Sequence, residues 1–214
     1  MITISALKDV PDFAKGLVRD LRVRWALEEA GLPYQTRLLN QGDQDKTDYR
    51  ALQPFGQVPI IEDNGFLLFE SGAIVLHIGA NSEALLPKDP VARAHAAQWV
   101  FAALNSVEPA LNTLFQIDIV FRKEEWATLR REGALAFAQR RLDGLSKALG
   151  DKLYLGGERF TAGDLMMASV LRIMGYGDLV TSDARLGAYL ARCTARPAFQ
   201  RALDAQTGDF RIAA

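Results

Sequence analysis

One cysteine, Cys193, is all the thiol chemistry in 214 residues. A lone thiol closes no internal disulfide and cannot complete a cysteine-based zinc site, so no metal is expected and a reducing compartment suits the chain. Late in the sequence, Cys193 reads as a buried small hydrophobe. Excess charge of either sign is absent as well. The formal net charge is -1, with Lys and Arg interleaved among Asp and Glu, which argues against a nucleic-acid partner. No run of eighteen unbroken apolar residues occurs, and Met1 to Ser5 lacks the basic and apolar regions of a signal peptide. A cytoplasmic protein that crosses no membrane is expected.

The hydrophobic share of 49% and charged share of 24% are those of an ordinary globular protein, long enough for one large domain or two small ones. Two patterns divide it. Up to about Ala80, strand and helix periods alternate. The β-branched run Ile2 to Leu7 leads through a Pro- and Gly-containing stretch to Gly16, and apolar residues from Leu17 to Ala30 then keep helical spacing until Gly31 and Pro33 stop them. Tyr34 to Leu39 is a second strand, which makes a right-handed βαβ unit with parallel strands. The polar segment Gly42 to Gln53 is helical in part. Val58 to Ile61 and Phe66 to Phe69 flank Asn64-Gly65, a strong hairpin signal, and Ser71 stands where a helix N-cap belongs.

Asn81 to Pro90 has little periodicity and is read as a linker, giving domains over residues 1–80 and 91–214. Beyond it the pattern is helical. Ala92 to Asp118 is one helix, kinked at Pro109, and Glu124 to Leu149 another. A third opens on Phe160-Thr161-Ala162-Gly163-Asp164-Leu165, a capping box with Asp in place of Glu or Gln and a hydrophobic staple from Phe160 to Leu165. Two shorter helices, near 183–193 and 197–205, end the chain.

Three passages in this order resemble the soluble glutathione S-transferase family: Val23 to Tyr34, Gln57-Val58-Pro59-Ile60-Ile61 through Glu70-Ser71-Gly72-Ala73-Ile74, and Phe160 to Leu165. The resemblance implies an α/β thioredoxin-like domain (βαβ-α-ββα) followed by an all-α domain, glutathione as co-substrate, a small apolar electrophile as second substrate, and a homodimer. It implies a cis bond ahead of Pro59 that turns the Val58 backbone toward the ligand's cysteinyl unit; by residue type alone, a trans proline opening an edge strand is the alternative. Ser71 is an N-cap, a donor to the γ-glutamyl carboxylate, or both, and Glu70 is a solvated acid or the partner of the ligand's ammonium group. Gln57 and Gln44 match family positions that contact the cysteinyl and glycyl parts.

The family's usual thiolate-stabilising Tyr, Ser or Cys is missing. Its position falls on Leu17, and Ala6 to Asp20 contains no Ser, Thr, Tyr or Cys. Ser5 and Arg19 remain, the latter either acting from the first turn of a helix or lying on the surface. His77, His95, Trp99, Phe101, Phe115 and Trp126 receive no site role. Glutathione-dependent conjugation, reduction or isomerisation is the expected activity, and a non-catalytic glutathione-binding or protein-interaction role is the alternative.

Overall fold

The computed structural model describes residues 1–212, with side chains through Phe210. Two compact units divide at Leu86: Met1–Leu86 together with the chain from Ala195 onward, and Pro87–Thr194.

In the first unit, β1 (Ile2–Leu7), β2 (Tyr34–Leu39), β3 (Ile60–Asp63) and β4 (Phe66–Phe69) form one mixed sheet in the order β2-β1-β3-β4. β1 and β2 are parallel, with Ile4 opposite Thr36, whereas β3 is antiparallel to both β1 and β4. The hairpin joining β3 and β4 turns on Asn64 (φ 51°) and Gly65 (φ 85°), two consecutive positive φ angles that an Asn-Gly pair accommodates and most residues resist. Helices α1 (Asp20–Ala30), α2 (Thr47–Arg50) and α3 (Ser71–Ala80) complete the βαβ-α-ββα order.

The α1 helix begins three residues later than the apolar periodicity at Leu17 suggests, and it ends on Gly31 in the left-handed conformation. Asp20 through Leu27 are buried on every side. A helix covered all round must pair any charge it carries. Asp20 Oδ2 accepts from Arg24 Nε at 2.8 Å, Arg24 Nη2 donates to Asp209 at 2.6 Å, and Gln206 Nε2 donates to Asp20 Oδ1 at 2.7 Å. Burial pushes the Asp20 carboxyl up, and Arg24 and Gln206 oppose the rise.

Asp209 and Gln206 lie on α9 (Pro197–Ile212), and Trp25 meets Phe199 edge-on at 4.8 Å. The sequence reading assigned this last helix to 91–214; it clusters with the first unit instead, held to α1 by those buried polar bonds and by Arg196 on Glu29.

The second unit is helical: α4 (Pro90–Phe101), α5 (Glu108–Phe115), α6 (Glu125–Leu149), α7 (Ala162–Leu171) and α8 (Ala184–Thr194). Residues 92–118, expected as one kinked helix, are broken by a π-helical stretch at Ala102–Val107, immediately before Pro109 in the first turn of α5. Proline has no N–H for a carbonyl in the preceding turn, and the wider ladder there absorbs the mismatch.

The capping box is present. Asp164 is fully buried, and its carboxylate accepts from Thr161 N (2.9 Å), Leu155 N (2.8 Å) and the Tyr189 hydroxyl (3.0 Å). Glu would be one methylene too long for this closed set of donors, which accounts for Asp at the box. The Thr161 hydroxyl donates as well, at 3.0 Å, so Asp164→Ala strands four buried donors, two of them hydroxyls that can turn to other acceptors and two backbone N–H groups that cannot, at about 1–3 kcal/mol each. A destabilisation on the order of 3 kcal/mol is expected, seen as a thermal midpoint lowered by roughly 6–12 °C. A melting curve matching the parent would show that these bonds do not hold α7.

Candidate functional site

The segment between α2 and β3 carries Gln57, Val58 and Pro59 of the residues named from the sequence, and a buried hydroxyl pair anchors it. Tyr49, on α2, donates its phenolic proton to the Gln57 carbonyl at 2.8 Å. The Ser5 hydroxyl, 2.9 Å away, therefore donates to the Tyr49 oxygen, while the Ser5 oxygen accepts from Ile60 N at 2.9 Å. Three bonds thus fasten the chain on both sides of Pro59 to β1. Burial raises the Tyr49 hydroxyl, so it keeps its proton at neutral pH. Ser5, a candidate thiolate partner from the sequence, is only 2% exposed and both its donor and its acceptor are used here. The Val58–Pro59 bond is cis.

A cavity of 300 Å³ opens beside this segment, lined by Gln57, Val58, Gly56 and Gln44 on one side and by Leu17, Val18 and Arg19, with Leu7, on the other. The fold therefore brings Arg19, Gln44, Gln57 and Val58 together from three separate stretches. Arg19 immediately precedes α1, is solvent-exposed, and is the cavity's one charged side chain. Leu17 stands in the wall, and among the described lining residues none carries a hydroxyl or thiol. Gly56 (φ 64°) is required, because a Cβ there would lie 2.9 Å from the Gln44 carbonyl and from the Arg50 guanidinium. Gln44 accepts from Gly42 N at 3.0 Å through Oε1, which aims its amide group.

Glu70 and Ser71 lie outside that lining, at the start of α3. Ser71 is not the N-cap. The Glu70 carbonyl accepts the first helical bond, from Ile74 N at 2.9 Å, and Ser71 is the first helical residue. Glu70 has φ 70°, a conformation that costs a non-glycine residue on the order of 1–3 kcal/mol, and its carboxylate is exposed. The Ser71 hydroxyl is buried and accepts from Arg22 Nη1 at 3.3 Å. The hydroxyl thus serves Arg22 as acceptor, at a helix start whose first-turn N–H groups no helix satisfies internally.

Sequence reasoning missed Tyr49 and Arg22. Tyr49 is the one aromatic in an otherwise polar stretch, which was the available signal; Arg22 gave none beyond a charge on the face of α1 that the periodicity buries. The other residues weighed take ordinary places. His77 stacks on Phe66 at 5.0 Å, His95 is exposed, and Cys193 is buried. Trp99 and Phe115 are half-buried, whereas Phe101 and Trp126 are exposed.

Residues 15–80 match the glutathione S-transferase N-terminal domain family. A glutathione S-transferase of Hyoscyamus muticus is 32% identical over 198 residues, 86% of this chain and 92% of the relative. Among solved structures, a glutathione transferase of Burkholderia graminis with two glutathione molecules bound per subunit superposes with a TM-score of 0.84 at 26% identity, covering 95% of this chain and 88% of that one. The theta-class enzyme of Xanthomonas axonopodis pv. citri, with glutathione bound, gives 0.79 at 28% identity, covering 94% and 96%. With nearly the whole length of a curated relative matched at this identity, and the same fold in solved neighbours, the chain belongs to the glutathione S-transferase family.

Proposed function

We propose that this protein is a glutathione transferase that binds the tripeptide along the first unit and uses its thiolate on a small apolar electrophile. The Val58 backbone beside Pro59 pairs with the cysteinyl unit, and Gln57 and Gln44 hold the cysteinyl and glycyl parts. Ser71, with the first-turn N–H groups of α3, receives the γ-glutamyl carboxylate, and Glu70 its ammonium group. The observation that carries this reading is the convergence of Arg19, Gln44, Gln57 and Val58 on one cavity.

Arg19 is the thiolate's partner in this reading. The guanidinium and the opening of α1 both favour an anion, and lowering a bound thiol's pKa by two units requires about 2.7 kcal/mol. The thiol proton leaves to solvent. With a chlorodinitrobenzene the thiolate sulfur then bonds to the ring carbon and chloride departs with the bonding pair. Reduction or isomerisation of other electrophiles starts from the same thiolate. The wall of Leu7 and Leu17, without a hydroxyl, favours a second reading, in which the chain binds glutathione without turning it over.

The chain works as a homodimer in the cytoplasm. Exposed Phe55, Phe66 and Leu67 support association, since the latter two lie on an edge strand that a second copy would cover. The lone buried cysteine suits a reducing compartment.

Titrating bound glutathione by ultraviolet absorbance is expected to give a thiol pKa about two units below that of the free tripeptide, and Arg19→Ala should restore most of that difference. An unchanged pKa in Arg19→Ala removes Arg19 from this role. Binding without turnover on several electrophiles selects the second reading. Replacing Glu70 by Gly should relieve the backbone and raise the thermal midpoint by a few degrees while weakening glutathione at least tenfold, about 1.4 kcal/mol. Equal affinity in that variant would take Glu70 out of the ligand's grip. Sedimentation should report a dimer, and Phe66→Lys should shift it toward monomer.

A further inference from the structure

The α1 helix opens at Arg19, and the residues on either side of it are held from one place. Gln206 Nε2, on α9, donates to the Val18 carbonyl at 3.1 Å and to Asp20 Oδ1 at 2.7 Å. The Val18 carbonyl also accepts from Leu21 N at 3.0 Å, so both of its lone pairs are used. All of these residues belong to the first unit. Val18 lines the 300 Å³ cavity beside Arg19, whereas Gln206 is 1% exposed and is not among the lining residues. From the other direction the chain offers less purchase. Ala14, Lys15 and Leu17 donate to carbonyls three residues back, which shapes the loop without tying it to a neighbouring element.

Docking of α9 has other anchors. Arg24 meets Asp209 at 2.6 Å, Arg196 grips both Glu29 oxygens, Arg201 Nε reaches Glu28 at 2.7 Å, and Trp25 packs on Phe199. Gln206 Oε1, moreover, meets no partner among the described residues. A buried amide oxygen left unpaired is unfavourable, and an apolar side chain of the same length would fill the place without that penalty. What glutamine supplies and such a residue would not is the Nε2 group with its two bonds.

We infer that Gln206 is a positioning residue for the thiolate: by clamping Val18 and Asp20 it fixes where the Arg19 guanidinium stands at the cavity, without touching the ligand. The inference rests on the reading of Arg19 given above. An arginine side chain is long, so its charge is placed only as well as the backbone that carries it, and a misplacement of about 1 Å is enough to weaken a charge aimed at one atom.

Gln206→Met keeps the length and removes the donor. Ultraviolet titration of glutathione bound to the full chain is expected to give a thiol pKa about one unit above the parent's, tenfold in thiolate or about 1.4 kcal/mol. In an Arg19→Ala background the same substitution should add nothing. Arg196→Ala is the control, because it loosens α9 through Glu29 and contacts neither Val18 nor Asp20. It should lower the thermal midpoint and leave the thiol pKa at the parent's value. A parent-like pKa in Gln206→Met, where Arg19→Ala raises it, overturns the inference and leaves the role of Arg19 standing. Equal rises in Arg196→Ala and Gln206→Met, or effects of Arg19→Ala and Gln206→Met that add, overturn it as well. A parent-like pKa in Arg19→Ala overturns both the inference and the reading beneath it. Should Gln206→Met fail to fold, Gln206→Asn, one methylene shorter, is titrated in its place with the same outcomes.

Discussion

Two hydroxyl groups hold the segment around Pro59 in position. The residues around Pro59 belong to no helix and reach β3 only at Ile60, so their backbone groups need partners from elsewhere in the fold. Ser5 and Tyr49 provide two, at Ile60 N and the Gln57 carbonyl, and a third bond joins the two hydroxyls, all at 2.8–2.9 Å. The network is closed: the Tyr49 proton goes to Gln57, the Ser5 proton to Tyr49, and the Ile60 proton to Ser5. A closed set of this kind fixes one arrangement of the loop, whereas losing any member strands a buried donor or acceptor at about 1–3 kcal/mol. It also leaves neither hydroxyl proton spare, since the Ser5 proton goes to Tyr49 and the Tyr49 proton to Gln57.

Much of the first unit was legible because short-range chemistry decides it. Asn64-Gly65 turns where an Asn-Gly pair should, Gly31 ends α1 in the conformation that only glycine takes without cost, and β1 and β2 span the residues their β-branched and apolar runs mark. The cis bond at Pro59 was legible through resemblance, not periodicity. What escaped depends on distance along the chain. The partners of Tyr49 lie 8 and 44 residues away, and those of Asp20 and Arg24 reach 186 and 185 residues forward to α9. No local pattern marks a glutamine 186 residues on as the partner of a buried aspartate. The apolar spacing of the last helix fitted any core, and buried ion pairs assigned it to the first. Ser71 was misplaced by one position for a different reason. Cap preference favours serine over glutamate, but the positive φ of Glu70 moves the helix opening by a residue, and propensity tables do not anticipate a strained glutamate.

Strain at Glu70 and closure at Tyr49 are opposite devices within one unit. A residue held at φ 70° persists only where its surroundings over-determine it, and here β4 fixes one side of Glu70 and α3 the other. The exposed carboxylate is then aimed by the backbone instead of by a side-chain partner. Ser71 is aimed differently: Arg22 takes one of its oxygen's lone pairs from within, which leaves the hydroxyl proton for a carboxylate. An acceptor held by strain next to a donor held by a buried guanidinium is a pair suited to a zwitterion, because each half is oriented before the ligand arrives and little ordering cost remains at binding.

Thiolate formation is harder to arrange on this scaffold. A hydroxyl stabilises sulfur by a single short bond and acts even in a wet cleft, whereas an exposed guanidinium is screened by water and salt. The proposed role of Arg19 therefore requires that the bound tripeptide itself exclude solvent. The cavity's geometry meets that condition: Leu7, Leu17 and Val18 form an apolar wall beside Arg19, and a ligand seated along Gln57 and Val58 closes the other side. Charge stabilisation then grows with occupancy, because displacing water lowers the local dielectric as the sulfur arrives. On this argument Leu17, which stands where the resemblance places a hydroxyl, contributes by keeping dry the space in which an arginine can replace one.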